Sequence, residues 1–181
     1  MECSLREWRM EDAGELARII SPGVLENLRD GIPFPYTQRD GEQFIAAMLS
    51  ADPRRVFAFA ITAQGRLAGS STAFRQENIH CRTAELGYYL GEEWWGRGLA
   101  SSAVAQACRR IFETSDILRI FAEPFARNAA SCRVLEKAGF TIEGVMRRGV
   151  CKRGEVLDYC MYALVPDDTV DGCMQSVCEN I

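Results

Sequence analysis

The chain has 181 residues, enough for one domain with a core of its own, and carries a formal net charge of −4. Its 48% apolar and 25% charged residues are the balance of a globular protein, and the acidic excess argues against general nucleic-acid binding. Because it has no long apolar run and no apolar segment near its first residues, we expect a cytoplasmic protein without a membrane span or secretion signal.

Hydrophobic periodicity predicts seven strands and four helices. In chain order, they are a strand over 4–8, helices over 11–20 and 42–50, strands over 56–62, 66–74 and 84–91, a helix that begins after residue 98, a strand over 119–125, a helix over 128–139, and strands over 140–149 and 155–165. The second and third strands flank a short turn, which predicts an antiparallel hairpin. This order predicts an α/β fold with a mixed, mostly antiparallel sheet rather than a doubly wound one.

We expect a single domain over residues 1–165, where the periodic pattern is continuous. Residues 166–181 lack periodicity and are predicted to be an appended, loosely ordered tail. Eight cysteines are spread along the chain, with no Cys-x-x-Cys pair and no Cys/His pair at metal-ligand spacing. We therefore interpret them as reduced, small apolar side chains and expect no metal site.

The segment "WWGRGLA" at residues 94–100 places Gly96 and Gly98 between a predicted strand and a predicted helix. A helix N-terminus has free backbone N–H groups and the positive end of the helix dipole, so it attracts anions, phosphate above all. Glycine lets the backbone approach such a ligand and take conformations that other residues avoid. The pattern indicates a phosphate-binding loop, although a plain glycine turn into a helix is the simpler alternative.

Two nucleotide-binding motifs match this loop poorly. A P-loop needs a Lys-Ser/Thr pair after its last glycine, where this chain has Leu-Ala. A dinucleotide fingerprint is closer, because Gly96, Gly98 and Ser101 approximate G-x-G-x-x-G and Glu123 lies near the end of the next strand. The antiparallel strands upstream argue against that parallel fold, so a nicotinamide-dependent oxidoreductase is kept only as a remote alternative.

The same segment, after "AELGYYL", resembles the acyl-CoA-binding segment of the GNAT acetyltransferase superfamily, whose pattern is Gln/Arg-x-x-Gly-x-Gly/Ala. Gly98 and Ala100 match the last two positions, whereas Trp95 stands in place of the Gln or Arg. Tryptophan before Gly-Lys/Arg-Gly is typical of the RimJ/RimL-like acetyltransferases of ribosomal-protein N-termini and their relatives. The blocks "LREWRMEDAGELARI", "GIPFPYT" and "NAASCRVLEKAGFTIEG" are also similar to that branch, so the resemblance spans nearly the whole predicted domain.

The resemblance implies a GNAT fold, in which the sheet splays near its central strands and the strand before the glycine loop carries a bulge. It also implies acetyl-CoA as co-substrate, with the pyrophosphate on the glycine loop and the pantetheine along the splayed strand. The residues that it places at acetyl-CoA are Tyr89, Leu90, Gly91, Trp95, Gly96, Arg97, Gly98, Leu99, Ala100, Ser101 and Asn128. Asn128 is also predicted to cap the following helix.

Acetyl transfer to an amine requires a group that takes a proton, because the pKa of an alkylammonium lies above neutrality. The resemblance implies Glu85 as general base or amine-orienting carboxylate, with Glu143 as a weaker rival. Many GNAT members place a tyrosine near the CoA sulfur, four residues before a Gly-Phe pair, where this chain has Leu135. The RimJ/RimL-like branch has a serine instead, which implies that Ser131 protonates or hydrogen-bonds the departing thiolate.

The implied acceptor is a primary amine, either a protein N-terminal α-amine or a small-molecule amine. Phe34, Tyr36 and Tyr88 are predicted to line its site, the first two in a loop that prolines stiffen. The basic residues within 147–153 are interpreted as a solvated hairpin, with contact to an acidic peptide or to the adenosine 3′-phosphate of CoA as the alternative. The sequence leaves open a monomer or a homodimer, and a GNAT-fold module that binds CoA without turnover is the alternative function.

Overall fold

A computed structural model describes residues 2–166, which form one seven-stranded sheet with helices packed on both faces. The strands are β1 (Cys3–Arg6), β2 (Val56–Ala63), β3 (Arg66–Arg75), β4 (Thr83–Leu90), β5 (Arg119–Ala122), β6 (Thr141–Lys152) and β7 (Glu155–Leu164). The helices are α1 (Ala13–Ile19), α2 (Pro22–Glu26), α3 (Gln38–Ser50), α4 (Leu99–Thr114) and α5 (Ala129–Lys137).

The strand order is β1-β2-β3-β4-β5-β7-β6, and within the described residues β4 and β5 are the only parallel neighbours. The predicted mixed, mostly antiparallel sheet with four main helices is therefore confirmed. The predicted tail, apart from Pro166, lies outside the described residues. Between residues 2 and 166, no helix has the length and apolar character that crossing a bilayer requires.

Local capping explains where α2 and α3 begin. Ser21 accepts a hydrogen bond from the Val24 N–H at 3.3 Å, and Pro22 fills the first position of α2, where its missing N–H costs nothing. A capping box between Thr37 and Asp40 begins α3. Because α2 has only five residues, it is too short to produce the periodic signal from which the other helices were predicted.

The sheet opens between β4 and β5. Their pairing covers three residues and ends with Glu85 opposite Phe121, after which β4 continues to Leu90 beside β3 alone. This confirms the expected splay. The expected bulge in β4 is wrong, because the register of β4 with β3 is regular along its whole length. The opening arises instead because β5 ends at Ala122, shortly before Pro124, which has no N–H for a strand ladder.

Alternate residues of β4 serve the two faces of the sheet. Leu86 and Tyr88 pack into the core that α4 and α5 form with the sheet. Tyr89 packs on the other face, in the core beneath α1 and α3, and Glu85 lies on that same face by alternation. One strand therefore sends the Tyr88 hydroxyl to one side of the splay and the Glu85 carboxylate to the other.

The β6–β7 hairpin folds back onto the segment after α2. Lys152 is only 6% exposed, and its ammonium donates to the Leu28 carbonyl at 2.6 Å and to the Asp30 carboxylate at 3.1 Å. The Arg153 N–H donates to the other oxygen of Asp30 at 2.9 Å. The interpretation of this hairpin as solvated is therefore wrong at Lys152, which ties the hairpin turn to the Leu28–Asp30 backbone.

Candidate active site

The glycine loop ends in an uncapped helix. Gly96 and Gly98 have φ values of 72° and 75°, in the left-handed region that favours glycine. Apart from the adjacent residues, no atom of the described chain lies within 4 Å of where their Cβ atoms would be. Gly98 is the N-cap of α4, and within the described residues no side chain caps this helix. The first backbone bond of α4 runs from the Ser102 N–H to the Gly98 carbonyl. The preceding N–H groups are therefore free for an anion.

The splayed edge of β4 continues this set of backbone donors. The Gly91 N–H bonds to the Ala68 carbonyl of β3 at 2.9 Å. Because backbone groups alternate along a strand, the N–H groups of Leu90 and Tyr88 point away from β3 and into the splay. The Trp95 indole donates to the Leu90 carbonyl at 2.8 Å and so fixes the glycine loop to the end of this strand.

A cavity of about 370 Å³ lies between the glycine loop, the end of β4, α2 and α5. Ten of the eleven residues predicted at acetyl-CoA line it, and Tyr88 and Ser131 line it as well. The exception is Gly91, where a Cβ atom would meet Ile19 and Trp94 of the core at 3.4–3.5 Å. Gly91 therefore supports the loop from behind rather than facing the cavity.

Several cavity residues were not predicted from the sequence. Asn27 and Leu28 come from the end of α2, which periodicity missed, and Arg133 and Lys137 come from one face of α5. Arg133, Lys137 and Arg97 make the lining cationic. The Arg97 guanidinium lies 5.8 Å from the centre of the Trp94 ring. No Asp or Glu is among the lining residues, so the cavity favours an anion although the chain as a whole is acidic. The i, i+4 spacing of Arg133 and Lys137 beside Asn128 is the sequence signal that was available.

Two hydroxyl groups, one from the start of α5 and one from β4, lie side by side at the cavity. Asn128 accepts a hydrogen bond from the Ser131 N–H at 3.1 Å, which confirms its predicted capping role. The Tyr88 hydroxyl lies 2.7 Å from Ser131 Oγ and 3.0 Å from the Ser131 carbonyl oxygen. Burial raises the pKa of Tyr88, so its hydroxyl stays protonated. Leu135, in the position where many GNAT members have a tyrosine, is fully buried in the core.

A charged cluster occupies the opposite face of the splay. The Arg29 guanidinium contacts Glu85 and also donates to Glu123 at 3.0 Å. Burial and the nearby Glu85 raise the pKa of Glu123, and Arg29 partly opposes them. Glu85 does not line the 370 Å³ cavity but stands at the base of the splay, where β4 and β5 part. Sequence patterns gave no sign of Arg29, since 56 residues separate it from Glu85.

The other residues predicted around the amine lie farther from the cavity. Glu143 is paired with Arg119 at 2.6 Å, and that hydrogen bond lowers the pKa of Glu143. Phe34 is 58% exposed in the loop before α3. Tyr36 packs partly buried against the α1–α3 core, and burial raises its pKa to about 12. The structure does not bring these three side chains into the lining of the 370 Å³ cavity.

A larger, open groove of about 1030 Å³ runs along the first half of β2, which β1 leaves uncovered. Its arginines are mostly neutralised within the protein: Arg54 pairs with Asp52 at 3.1 Å, and Arg75 pairs with Asp116. It has no helix N-terminus with free N–H groups among its lining residues. The smaller cavity is therefore the better anion site. A splayed mixed sheet with such a site at the splay defines an acyltransferase of the GNAT type.

Comparison with known proteins agrees with this class. The family profile of the acetyltransferase (GNAT) domain matches residues 3–141. The probable N-acetyltransferase YjcK of Bacillus subtilis is 34% identical over 121 residues, which cover 66% of this chain and 67% of YjcK. The structure of RimL, a ribosomal L7/L12 α-N-protein acetyltransferase, in complex with coenzyme A has a TM-score of 0.81 at 23% identity, covering 90% of this chain and 93% of RimL.

A second solved structure is that of the microcin C7 self-immunity acetyltransferase MccE in complex with acetyl-CoA and AMP. It has a TM-score of 0.78 at 23% identity and covers 91% of this chain and 92% of that one. At these identities the two structures show a shared fold. With the domain match over residues 3–141, the chain belongs to the GNAT acetyltransferase family and is a GNAT-type N-acetyltransferase.

Proposed function

We propose that this protein transfers the acetyl group of acetyl-CoA to a primary amine by direct attack of the amine. The observation that carries the proposal is the presence of free backbone donors at two neighbouring places, the splayed edge of β4 and the uncapped start of α4. These donors border a cationic cavity without acidic lining residues, which suits a phosphate-bearing ligand. RimL and MccE, which share the fold, were solved with CoA and acetyl-CoA respectively.

In this proposal each part of the cavity has a separate task. The N–H groups of Gly98–Ser101 hold the pyrophosphate, with Arg97, Arg133 and Lys137 as neighbouring cations. The Tyr88 and Leu90 N–H groups hydrogen-bond the pantetheine as an added strand, and one of them polarises the acetyl carbonyl. Bound acetyl-CoA supplies the activated acetyl thioester, and the protein positions it beside the acceptor.

The carboxylates at the base of the splay receive the amine. Glu85 and Glu123 carry two negative charges, and Arg29 balances one of them. The remaining charge attracts the acceptor as an ammonium ion. Loss of its proton to this pair frees the nitrogen lone pair for attack. Arg29 contacts both carboxylates, so the two act within one network. Glu85 takes the proton or orients the amine, and Glu123 is the second candidate for the base.

The acceptor is delivered either by a protein N-terminus or by a small molecule. RimL is a ribosomal L7/L12 α-N-protein acetyltransferase, whereas MccE was solved with AMP. Arg29, which contacts both carboxylates, lies in the Leu28–Asp30 segment, and Lys152 anchors the hairpin turn to that segment. Peptides and small amines therefore both need to be screened.

The first experiment is a calorimetric titration with acetyl-CoA, with NADH as the comparison ligand. One-to-one binding of acetyl-CoA without binding of NADH supports the cofactor assignment, and no binding of acetyl-CoA contradicts the proposal. A turnover screen then measures released CoA thiol with two sets of acceptors: peptides with free or blocked N-termini, and small primary amines. Binding without turnover for any amine supports a non-catalytic CoA module instead.

The pH profile of kcat/KM separates the two carboxylates once an acceptor is found. The variant Glu85→Gln or Glu123→Gln that removes the acidic limb of the profile identifies the base. If Glu123 is the base, that limb lies above the ordinary glutamate range, because burial raises its pKa. Glu77 is exposed, pairs with Arg55 and lies outside this cluster. The variant Glu77→Gln is therefore the control and leaves the profile unchanged.

A further inference from the structure

The residue that completes the thiolate site comes from β4 rather than from α5. In this chain the α5 position at which many GNAT members place a tyrosine is Leu135, which is fully buried and has no hydroxyl. Tyr88 instead reaches α5 across the splay, lines the cavity and contacts Ser131 through its hydroxyl. A tyrosine hydroxyl is thus present at the cavity, on a different element.

The hydroxyl pair has two possible hydrogen-bond arrangements. In the first, Tyr88 donates to the Ser131 carbonyl at 3.0 Å, and the Ser131 hydroxyl donates to Tyr88 across 2.7 Å. In the second, Tyr88 donates to Ser131 Oγ, which leaves the Ser131 hydrogen free to point into the cavity. The backbone of Ser131 stays fixed in both, because its N–H is bonded to Asn128 at 3.1 Å. Rotation of two hydroxyl groups is the whole difference.

We propose that Tyr88 is a positioning residue that turns the Ser131 hydroxyl toward the departing thiolate of CoA. This inference rests on the proposed function, since it needs CoA in the cavity. When the carbon–sulfur bond breaks, its electron pair stays on sulfur. The negative sulfur favours the second arrangement, in which Tyr88 donates to Ser131 and Ser131 donates to sulfur, each bond strengthening the other.

No proton crosses from Ser131 to sulfur in this scheme. A serine hydroxyl is a much weaker acid than a thiol, so complete transfer would be uphill, whereas a hydrogen bond stabilises the thiolate without it. The thiolate takes its proton from solvent after it leaves. Burial keeps Tyr88 protonated by raising its pKa, so it acts as a donor throughout.

The test measures the acidity of the bound CoA thiol and needs no acceptor. CoA labelled with ¹³C at the carbon next to sulfur is bound to the protein, and its NMR shift is followed against pH. In wild-type protein the pKa of the bound thiol lies below that of free CoA. Ser131→Ala raises the bound value by about 1, the loss of one hydrogen bond to a charged group. Tyr88→Phe raises it by roughly 0.3, the cooperative part of that bond.

Tyr162→Phe is the matched control. Tyr162 is also a buried tyrosine bonded to α5, through Glu136 at 2.9 Å, but it does not line the cavity. Its loss leaves the bound thiol at the wild-type pKa. The double variant of Tyr88 and Ser131 behaves like Ser131→Ala alone, because Tyr88 acts through Ser131.

Three results are decisive. Equal thiol pKa values in wild type and Tyr88→Phe overturn the positioning role, even when CoA binds normally. An additive effect in the double variant shows that Tyr88 contacts sulfur by itself, which also overturns it. Failure of CoA to bind wild-type protein contradicts the proposed function instead. If Tyr88→Phe binds CoA too weakly to titrate, a fluorinated tyrosine at position 88, a stronger donor of the same shape, lowers the thiol pKa under this proposal and leaves it unchanged otherwise.

Discussion

The two sides of the splay, proposed to hold the cofactor and the acceptor, are built from different kinds of groups. The cofactor side consists mainly of backbone N–H groups from one short stretch, residues 95–101, and from the adjoining edge of β4. The acceptor side consists of charged side chains brought together from afar, since Arg29 and Glu123 are 94 residues apart and Lys152 and Leu28 are 124 apart. Local rules therefore govern the first side, and only the folded chain creates the second.

The largest expected effect comes from disrupting the backbone cradle, the set of free N–H groups at the start of α4. Gly98→Glu places a side chain and a negative charge at the open start of α4, where we expect the acetyl-CoA affinity to fall about 100-fold, roughly 2.7 kcal/mol. Calorimetry measures the affinity. Gly65→Glu is the control, because Gly65 has the same left-handed φ of 74° and equally open surroundings in the β2–β3 turn. Equal affinities in the two variants would show that the loop is only a turn.

Removing the Lys152 contacts that tie the hairpin turn to Leu28 and Asp30 is expected to have the next largest effect. Lys152→Met removes the buried ammonium that bonds Leu28 and Asp30, and we expect the free energy of unfolding to fall by about 1–3 kcal/mol. Urea unfolding measures this change. Acetyl-CoA affinity should stay within about threefold of wild type, because the cradle is intact. The substitution Arg153→Met, at the neighbouring exposed residue, changes stability little. An equal loss of stability in that variant would contradict the stabilising role of the Lys152 contacts.

A smaller effect sharpens the electrostatic part of the comparison. Arg133→Ala removes one cation from the cavity lining, and we expect a two- to fivefold loss of acetyl-CoA affinity at low salt, which higher salt abolishes. Titrations at two ionic strengths measure it. Arg109→Ala, an exposed arginine of α4 outside the lining, serves as the control. A loss that does not depend on salt would point to packing rather than charge.

The smallest expected effect concerns the stability of the acceptor side against pH. The pKa of Glu123 is raised in the folded protein, so the folded state binds its proton more tightly than the unfolded chain does. Its ionisation therefore costs stability as pH rises through and above the ordinary glutamate range. Glu123→Gln should gain stability relative to wild type between about pH 4 and pH 7. Urea unfolding at about pH 4 and pH 7 measures the difference in the free energy of unfolding between the variant and wild type.

Glu143 provides a control of opposite sign. Its hydrogen bond to Arg119 lowers its pKa, so its ionised form stabilises the folded state above the ordinary glutamate range and this contribution is lost as pH falls. Glu143→Gln should therefore lose stability relative to wild type at pH 7 and approach it at low pH. If both variants shift in the same direction, the charge network around Glu123 has been assigned wrongly.

The comparison also explains how far the sequence could lead. Periodicity predicted the seven strands and four main helices because most of them bury an apolar face, although β6 is exposed along nearly its whole length. The glycines of the loop and the Asn128 cap were visible because their effects are local, within a few residues along the chain. These features are also those that the backbone cradle requires.

The features that sequence reasoning missed all depend on contacts across the sheet. Lys152 read as a solvated side chain because nothing near it in the sequence shows that the Leu28 carbonyl lies within reach. Arg29 stood in no motif, and the bulge expected in β4 followed from resemblance rather than from its own regular pairing. The contact between Tyr88 and Ser131 likewise needs β4 and α5 to be side by side. Such pairings become visible only when the fold fixes which surfaces meet.

The central claim, that backbone amides hold acetyl-CoA, is tested most directly by amide hydrogen exchange with and without the ligand. We predict slower exchange at the amides of Gly98, Leu99, Ala100 and Ser101 and at those of Tyr88 and Leu90, with no change along the uncovered half of β2. Protection confined to the amides of α5, or found in the groove beside β2, would contradict the claim and place acetyl-CoA elsewhere on the molecule.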